Sequence, residues 1–308
     1  MRVVVTGGAG FIGANLCREL LTRADVTEVV ALDDLSTGFT DNLAGLDVEL
    51  VEGSILDRPL LSKLLAGTTT VVHLAARPSV PRSLIDPVAS HEANATGTLY
   101  VLEAAREAGA HVVVASSSSV YGDTDVLPKS EDLPTRPLSP YAVSKLACES
   151  YALAYGTSFG LDALVFRFFN VYGPLQAAGH AYAAVVPAFL DAALRGEPLT
   201  VHGDGLQTRD FTYVGTVSRV LADAVVGRVT SDRPVNLAFG TRSSLLDLIA
   251  EIEDLLEHPV ERAHVPARTG DVRDSQASSE RLRALFPDVN ATDLRTGLAD
   301  TLAWFRAG

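Results

Sequence analysis

Tyr141 and Lys145 stand four residues apart in SPYAVSKLACE, which sets both side chains on one face of a helix opened by Ser139 and Pro140. With eight tyrosines and only three lysines (Lys63, Lys129 and Lys145) in 308 residues, chance supplies about 0.1 such pairs. The chemistry that calls for this pair is proton exchange with a hydroxyl. A free tyrosine is about 0.1% ionised at pH 7, and bringing its pKa near 7 takes roughly 4 kcal/mol of preferential phenolate stabilisation. A fixed ammonium and a cationic ring nearby supply that in a dry site. A third group should donate a hydrogen bond to the same substrate oxygen. The run Ser116-Ser117-Ser118-Ser119-Val120-Tyr121-Gly122 puts hydroxyls at the end of an apolar strand, where such a donor belongs.

A second constellation sits at the start of the chain. RVVVT runs into GGAGFIG, so that Gly7, Gly10 and Gly13 recur every third residue. Glycines at this spacing allow a tight turn off a strand, a bare backbone near a pyrophosphate and close helix-to-strand packing. The helix from about Phe11 then directs its first N–H groups at phosphate. Asp33 ends the second predicted strand, twenty residues past Gly13, where a carboxylate accepts hydrogen bonds from ribose hydroxyls and repels a 2′-phosphate. Together these features point to a dinucleotide, NAD rather than NADP.

Both constellations need a rigid frame. Apolar runs predict strands at Arg2–Thr6, Glu28–Asp33, Val48–Val51, Thr70–Leu74, His111–Ala115 and Ala163–Arg167. Helical patterns fall at Phe11–Thr22, Leu60–Leu65, Pro87–Ala108 and Pro140–Phe159. Such alternation predicts an α/β fold, a doubly wound parallel sheet of the Rossmann type, with ligands at the carboxyl ends of the strands. Past residue 170 prolines loosen the rhythm, and the helical patterns at Tyr182–Arg195 and Leu245–Leu256 belong to a smaller mixed α/β lobe. The expected division is 1–170 for the dinucleotide and mainly 171–308 for the substrate, with a segment at about 205–240 returning to the sheet.

Composition narrows the partners. A formal charge of −13 argues against nucleic acid and anionic membrane surfaces, which need a basic face. No apolar stretch reaches the ~20 residues of a membrane span, and the histidines and two cysteines show no metal-ligand spacing. Cys17 and Cys148 read as buried thiols of a cytoplasmic protein.

With these residues in hand, the chain resembles the extended short-chain dehydrogenase/reductases, specifically the NAD-dependent nucleotide-sugar epimerases and dehydratases. The resemblance runs from Arg2 to about Trp304. It rests on TGGAGFIG, LDDLSTG, HLAA at 73–76, NATGT at 94–98, SSSSVYG, PYAVSK, RFFNVYGP at 167–174, GDGLQTRDFTYV at 203–214 and RTGDVRDS at 268–275. It implies that Ser117, Tyr141 and Lys145 are catalytic. It also implies that Gly7, Gly10, Phe11, Ile12, Gly13, Asp33, Ser54, Ile55, Leu74, Ala75, Ala76 and Asn94 line a tightly bound NAD. Asn170, Arg209, Arg268 and Asp271 would hold the nucleotide diphosphate, with Val186 and Val201 near the base; arginines suit a pyrophosphate through bidentate contacts.

The reaction is decided at Ser118 and Ser119, where the 4,6-dehydratases resembled here carry an acid pair and the uronate decarboxylases a glutamate. With serines there, the resemblance implies a redox-neutral C4 epimerisation: hydride removal from C4, rotation of the 4-keto sugar, and hydride return. Ser275 corresponds to a gate that admits an N-acetyl group when small. The bacterial UDP-glucose and UDP-N-acetylglucosamine 4-epimerases are the nearest likeness. UDP-glucuronate is an alternative, since hydroxyls at 117–119 can receive a carboxylate; a lyase and an NAD-sensing regulator on the same fold are others. Ser54, Leu175 and Gly215 depart from residues common in the family. Ala142, Ala147, Ala152 and Ala154 permit close packing of the Pro140–Phe159 helix, and with the Pro87–Ala108 helix the resemblance implies a homodimer through four helices.

Overall fold

The computed structural model describes residues 1–179, 183–267 and 272–307. Its strands are β1 (Arg2–Thr6), β2 (Glu28–Asp33), β3 (Glu49–Glu52), β4 (Thr70–His73), β5 (His111–Ser117), β6 (Ala163–Phe168), β7 (Asn170–Tyr172), β8 (Leu199–His202), β9 (Thr208–Arg209), β10 (Phe211–Tyr213), β11 (Val235–Leu237), β12 (Ser243–Ser244) and β13 (Arg262–Val265). Seven of the described strands form one parallel sheet in the order β11-β6-β5-β4-β1-β2-β3, and the strand order reverses between β1 and β4. That reversal opens a crevice at the carboxyl ends, the place where doubly wound sheets take ligands.

The central strands are apolar without alternation because helices bury both of their faces. Val3 and Val5 pack towards the Phe11–Leu20 and Val214–Val226 helices, whereas Val4 and Val30 pack towards the Pro140–Phe159 side. The Pro140–Phe159 helix starts where Ser139 accepts the Ala142 N–H at 3.1 Å and ends at Gly160 in the left-handed region. Helix also runs from Pro87 to Ala108, but a wide π-turn at Glu92–Thr96 interrupts it.

The chain crosses between two bodies more than once. After β7 it builds a lobe on β8, β13 and the Val185–Leu194 and Leu245–Leu256 helices, whose apolar faces share one core. Between these, the Val214–Val226 helix packs on the Phe11–Leu20 helix, and β11 pairs with β6. Both cysteines are free and buried. No described helix is long and apolar enough to cross a membrane, and the described residues contain no metal-binding cluster.

Candidate active site

The glycine turn is shaped by contacts that forbid side chains. Gly7 has φ +71°, and a Cβ on it would lie 2.8 Å from the Ala75 nitrogen. One on Gly13 would lie 2.0 Å from the Gly7 carbonyl, so the helix can sit this close to the turn only without side chains. Gly10 caps the Phe11–Leu20 helix with no side-chain hydrogen bond, leaving its first-turn N–H groups to face the crevice. Asp33 is 7% exposed and accepts hydrogen bonds from Ala9 N–H at 3.0 Å and Leu35 N–H at 2.9 Å. Burial lifts its pKa above the ordinary aspartate value, against those two bonds.

A cavity of about 920 Å³ fills the crevice. Its wall includes Gly7, Gly10, Phe11, Ile12, Gly13 and Asp33 from the first two strand ends, Ser54 and Ile55 after β3, and Leu74, Ala75 and Ala76 after β4. Ser117, Tyr141 and Lys145 stand on the same wall. Asn94 does not. It is fully buried one layer behind, its Oδ1 accepting the Arg77 N–H at 2.7 Å while its Nδ2 donates to Ser144 Oγ at 2.8 Å. It thus ties the 75–77 turn to the helix that carries Tyr141.

Three interactions arrange the reacting groups. Lys145, 5% exposed, donates from Nζ to the Ala115 carbonyl at 2.7 Å, which fixes the ammonium beneath β5 and leaves further protons for the cavity. Ser117 Oγ accepts from Ser119 N–H at 3.2 Å and Ser119 Oγ at 2.9 Å. With its acceptor capacity used, the Ser117 hydroxyl is left to donate towards the cavity. Beneath them Glu149 and Arg167 form a buried ion pair at 2.6 Å, and Ser116 Oγ donates to the same carboxylate at 2.9 Å. His73, also buried, bridges Thr6 at 2.7 Å and Thr98 at 2.9 Å. Burial, with Lys145 adding to it, pushes its pKa down to about 3, so the ring is neutral.

A second cavity of about 570 Å³ lies in the lobe, and Val171 lines both, so the two adjoin. Asn170, Val186 and Arg209 line the second cavity. Val201 faces the lobe core instead, fully buried, because side chains alternate along β8; its neighbours Thr200 and His202 reach the cavity. Ser275 is buried beside β9, its N–H donating to Thr208 O at 3.1 Å, and it lies off both walls. Ser118 and Ser119 also lie off the walls, Ser119 acting through Ser117. Arg268 and Asp271 lie outside the described residues. Sequence reasoning missed Arg77, Arg82 and Gln176 on the first wall and Gln207 on the second. Arg82 falls in the SVPRS stretch and Gln207 in GDGLQTRDF, both visible as motifs without an assigned role.

The first cavity fits a dinucleotide on its own geometry. Gly7, Gly10 and Gly13 leave bare backbone on the cavity wall, the uncapped helix start supplies donors, and Asp33 offers a carboxylate to a ribose. Gln176 adds a buried amide oxygen with no hydrogen-bond partner among the described residues, an acceptor open to a carboxamide.

Comparison with known proteins agrees. The model of the NAD dependent epimerase/dehydratase family matches residues 3–237. A UDP-glucose 4-epimerase of Mycolicibacterium smegmatis is 39% identical, over 99% of both chains. A UDP-N-acetylglucosamine 4-epimerase of Methanobrevibacter ruminantium, solved with UDP-N-acetylmuramic acid, superposes with a TM-score of 0.94 at 33% identity, over 99% of this chain and 98% of that one. A UDP-glucuronic acid 4-epimerase of Bacillus cereus, solved with UDP-glucuronic acid and NAD, superposes at 0.90 with 29% identity, over 100% and 99%. The fold and family implied by the sequence motifs are therefore the ones found: this chain belongs to the NAD-dependent epimerase/dehydratase family, and NAD is its cofactor.

Proposed function

We propose that the protein is a UDP-sugar 4-epimerase that keeps NAD tightly bound and acts without net redox change. The observation that carries this reading is a Ser117–Tyr141–Lys145 set on one cavity wall, beside serines rather than carboxylates at 118 and 119. When bound, NAD supplies the acceptor and donor for the hydride at C4. Tyr141 takes the proton of the 4-hydroxyl and later returns it. Lys145, pinned by the Ala115 carbonyl, holds positive charge beside the phenolate and a ribose. Ser117 donates to the 4-oxygen from a hydroxyl that Ser119 orients. The 4-keto sugar turns its other face and is reduced there. Elimination of water would need an acid and a base where Ser118 and Ser119 stand.

The body built on residues 1–170 and 214–237 holds NAD in this reading, and the lobe within 171–308 holds the nucleotide sugar, with Asn170 and Arg209 at the diphosphate and Val186 near the base. Plain hexoses and N-acetylhexosamines are the first substrates to try, because a UDP-glucose 4-epimerase and a UDP-N-acetylglucosamine 4-epimerase are among the proteins this chain resembles over nearly its whole length. UDP-hexuronates come next, since the Bacillus cereus neighbour is solved with one. The protein pairs through the exposed apolar side chains of Leu84, Ile85, Val88, Val143 and Tyr151, next to the Pro140–Phe159 helix.

The test is incubation with UDP-glucose, UDP-N-acetylglucosamine and UDP-glucuronate, read by NMR for inversion at C4, with assay of co-purified NAD. Absence of any C4 epimer overturns the reading, as does a 4-keto-6-deoxy product. Tyr141→Phe should lower turnover about 100-fold or more; an NAD-sensing regulator would be indifferent to it.

A further inference from the structure

The proton transfers at the cavity make no use of His73, yet its ring is 3% exposed and both its side-chain partners, Thr6 and Thr98, are fully buried. Buried polar groups satisfy one another, so the proton positions follow from the partners. Thr98 Oγ1 lies 2.6 Å from the Asn94 carbonyl, which can only accept, and the Thr98 proton goes there. Its oxygen is then open to the Nε2–H of His73 at 2.9 Å. Cys148 Sγ, 3.1 Å from the same hydroxyl, has the Ser144 carbonyl at 3.1 Å for its own proton. With Nε2 protonated, His73 accepts at Nδ1 from the Thr6 hydroxyl at 2.7 Å, and Thr6 Oγ1 accepts the Ala75 N–H at 3.3 Å. In the opposite tautomer the Thr6 proton has no acceptor among the described residues, and one Thr98 proton would have to serve two.

This run of bonds has two ends, and each reaches a different part of the site. At one end Thr6 immediately precedes Gly7, and Ala75 sits against the glycine turn so closely that a Cβ on Gly7 would meet its nitrogen. Gly7 and Ala75 both face the first cavity. At the other end Asn94 passes the constraint on through its side chain, which accepts the Arg77 N–H at 2.7 Å and donates to Ser144 Oγ at 2.8 Å. Ser144 Oγ donates to the Tyr141 carbonyl at 2.8 Å, and Lys145 is the next residue of that helix. The imidazole stands between the two ends, on β4 beside β1.

An imidazole with one ring proton offers a donor and an acceptor on two sides of a rigid ring, and so serves Thr98 and Thr6 at once. Resting on the UDP-sugar epimerase reading, we propose that His73 is a positioning residue: through its Nε2–H tautomer it couples the glycine turn and the Ala75 wall to the helix that carries Tyr141 and Lys145, and keeps the NAD wall and the proton-transferring groups in register.

The test uses the full chain. Long-range ¹H–¹⁵N spectra of histidine-labelled protein, assigned through the backbone, should show His73 in the Nε2–H form; an Nδ1–H ring overturns the inference. Thr6→Val and Thr98→Val each remove one hydroxyl with little change of shape. Each should lower kcat for C4 inversion about 10- to 100-fold with KM for the sugar little changed, as a small misplacement does, and should release bound NAD faster. Thr6→Ser and Thr98→Ser should restore most of the rate. The double variant Thr6→Val with Thr98→Val should cost little more than either change alone, because each already breaks the same coupling. Losses that multiply in the double variant overturn the inference, since the two hydroxyls then act separately. A lowered melting temperature with kcat and NAD release unchanged overturns it as well. If a valine variant does not fold, Thr6→Ala or Thr98→Ala takes its place under the same criteria. A parent that inverts C4 on no sugar condemns the epimerase reading instead, and the histidine spectra and NAD release then decide the coupling.

Discussion

Replacing Glu149 by alanine should be among the costliest single changes in the molecule. Glu149 and Arg167 are 5% and 3% exposed, and the guanidinium meets the carboxylate twice, Nη2 to Oε1 at 2.6 Å and Nε to Oε2 at 2.9 Å. Without the carboxylate, Arg167 keeps only a 3.5 Å contact to the Glu131 carbonyl and the face of Tyr121, 4.6 Å from the ring centroid. Ser116 Oγ loses its acceptor as well. Leaving a buried charge unpaired costs about 3–5 kcal/mol. Unfolding 308 residues carries an entropy of about 0.65 kcal/mol per kelvin, so the melting temperature should fall by about 5–8 °C. Urea unfolding and calorimetry on Glu149→Ala measure this directly. The paired change Glu149→Leu with Arg167→Met should recover most of the loss, because two apolar groups leave no stranded charge. Turnover in Glu149→Ala should fall as well, since Ser116 precedes Ser117. A Glu149→Ala protein within about 1 kcal/mol of the parent would refute the view that this pair anchors the strand ends.

Asp33→Ser should weaken NAD about 10- to 100-fold, the worth of hydrogen bonds to a charged acceptor, and narrow the preference over NADP; a dinucleotide titration that leaves the NAD:NADP ratio untouched would exclude Asp33 as the discriminator. His73 gives an acid limb to stability. The unfolded chain takes up a proton below pH 6.5 and the folded one only near 3, so stability is intact above about 6.5 and is lost as pH falls towards 3, by up to roughly 1.4 kcal/mol per pH unit. Unfolding of His73→Asn between pH 7 and 5 should show a correspondingly shallower slope, and an equal slope would remove His73 as the cause. Ile85→Glu combined with Val143→Glu, at side chains 72% and 52% exposed, should turn a dimer into a monomer by sedimentation; unchanged mass would place any interface elsewhere.

The sheet was legible because its strands are buried on both faces and so read as unbroken apolar runs. β1 and β2 have the predicted limits, while β5 runs two residues further, into the serines, because Ser116 and Ser117 still pair with β6. The π-turn at Glu92–Thr96 left no mark on the helical pattern, since it follows from packing Asn94 inward against Arg77 and Ser144. Motif spacing shows that Asn94 and Val201 stand near a site, not which layer each occupies. For Val201 the register of β8 decides, and that depends on pairing with β13, sixty residues away. The burial of Lys129 lay beyond sequence altogether, because a lysine between Pro128 and Ser130 looks like an ordinary surface residue.

The late return of β11 to the sheet bears on how the protein is made. β6 has no partner on its outer side until β11 emerges about 70 residues later, after much of the lobe. At roughly 5–20 residues per second, a growing chain spends several seconds with an open, apolar strand edge next to the serine turn. Such an edge invites pairing with another chain. The outer edge of β6, with Leu164, Val165 and Phe166 in its run, is therefore a place where newly made chains are exposed to misassembly, and where a chaperone that shields strand edges bears on yield.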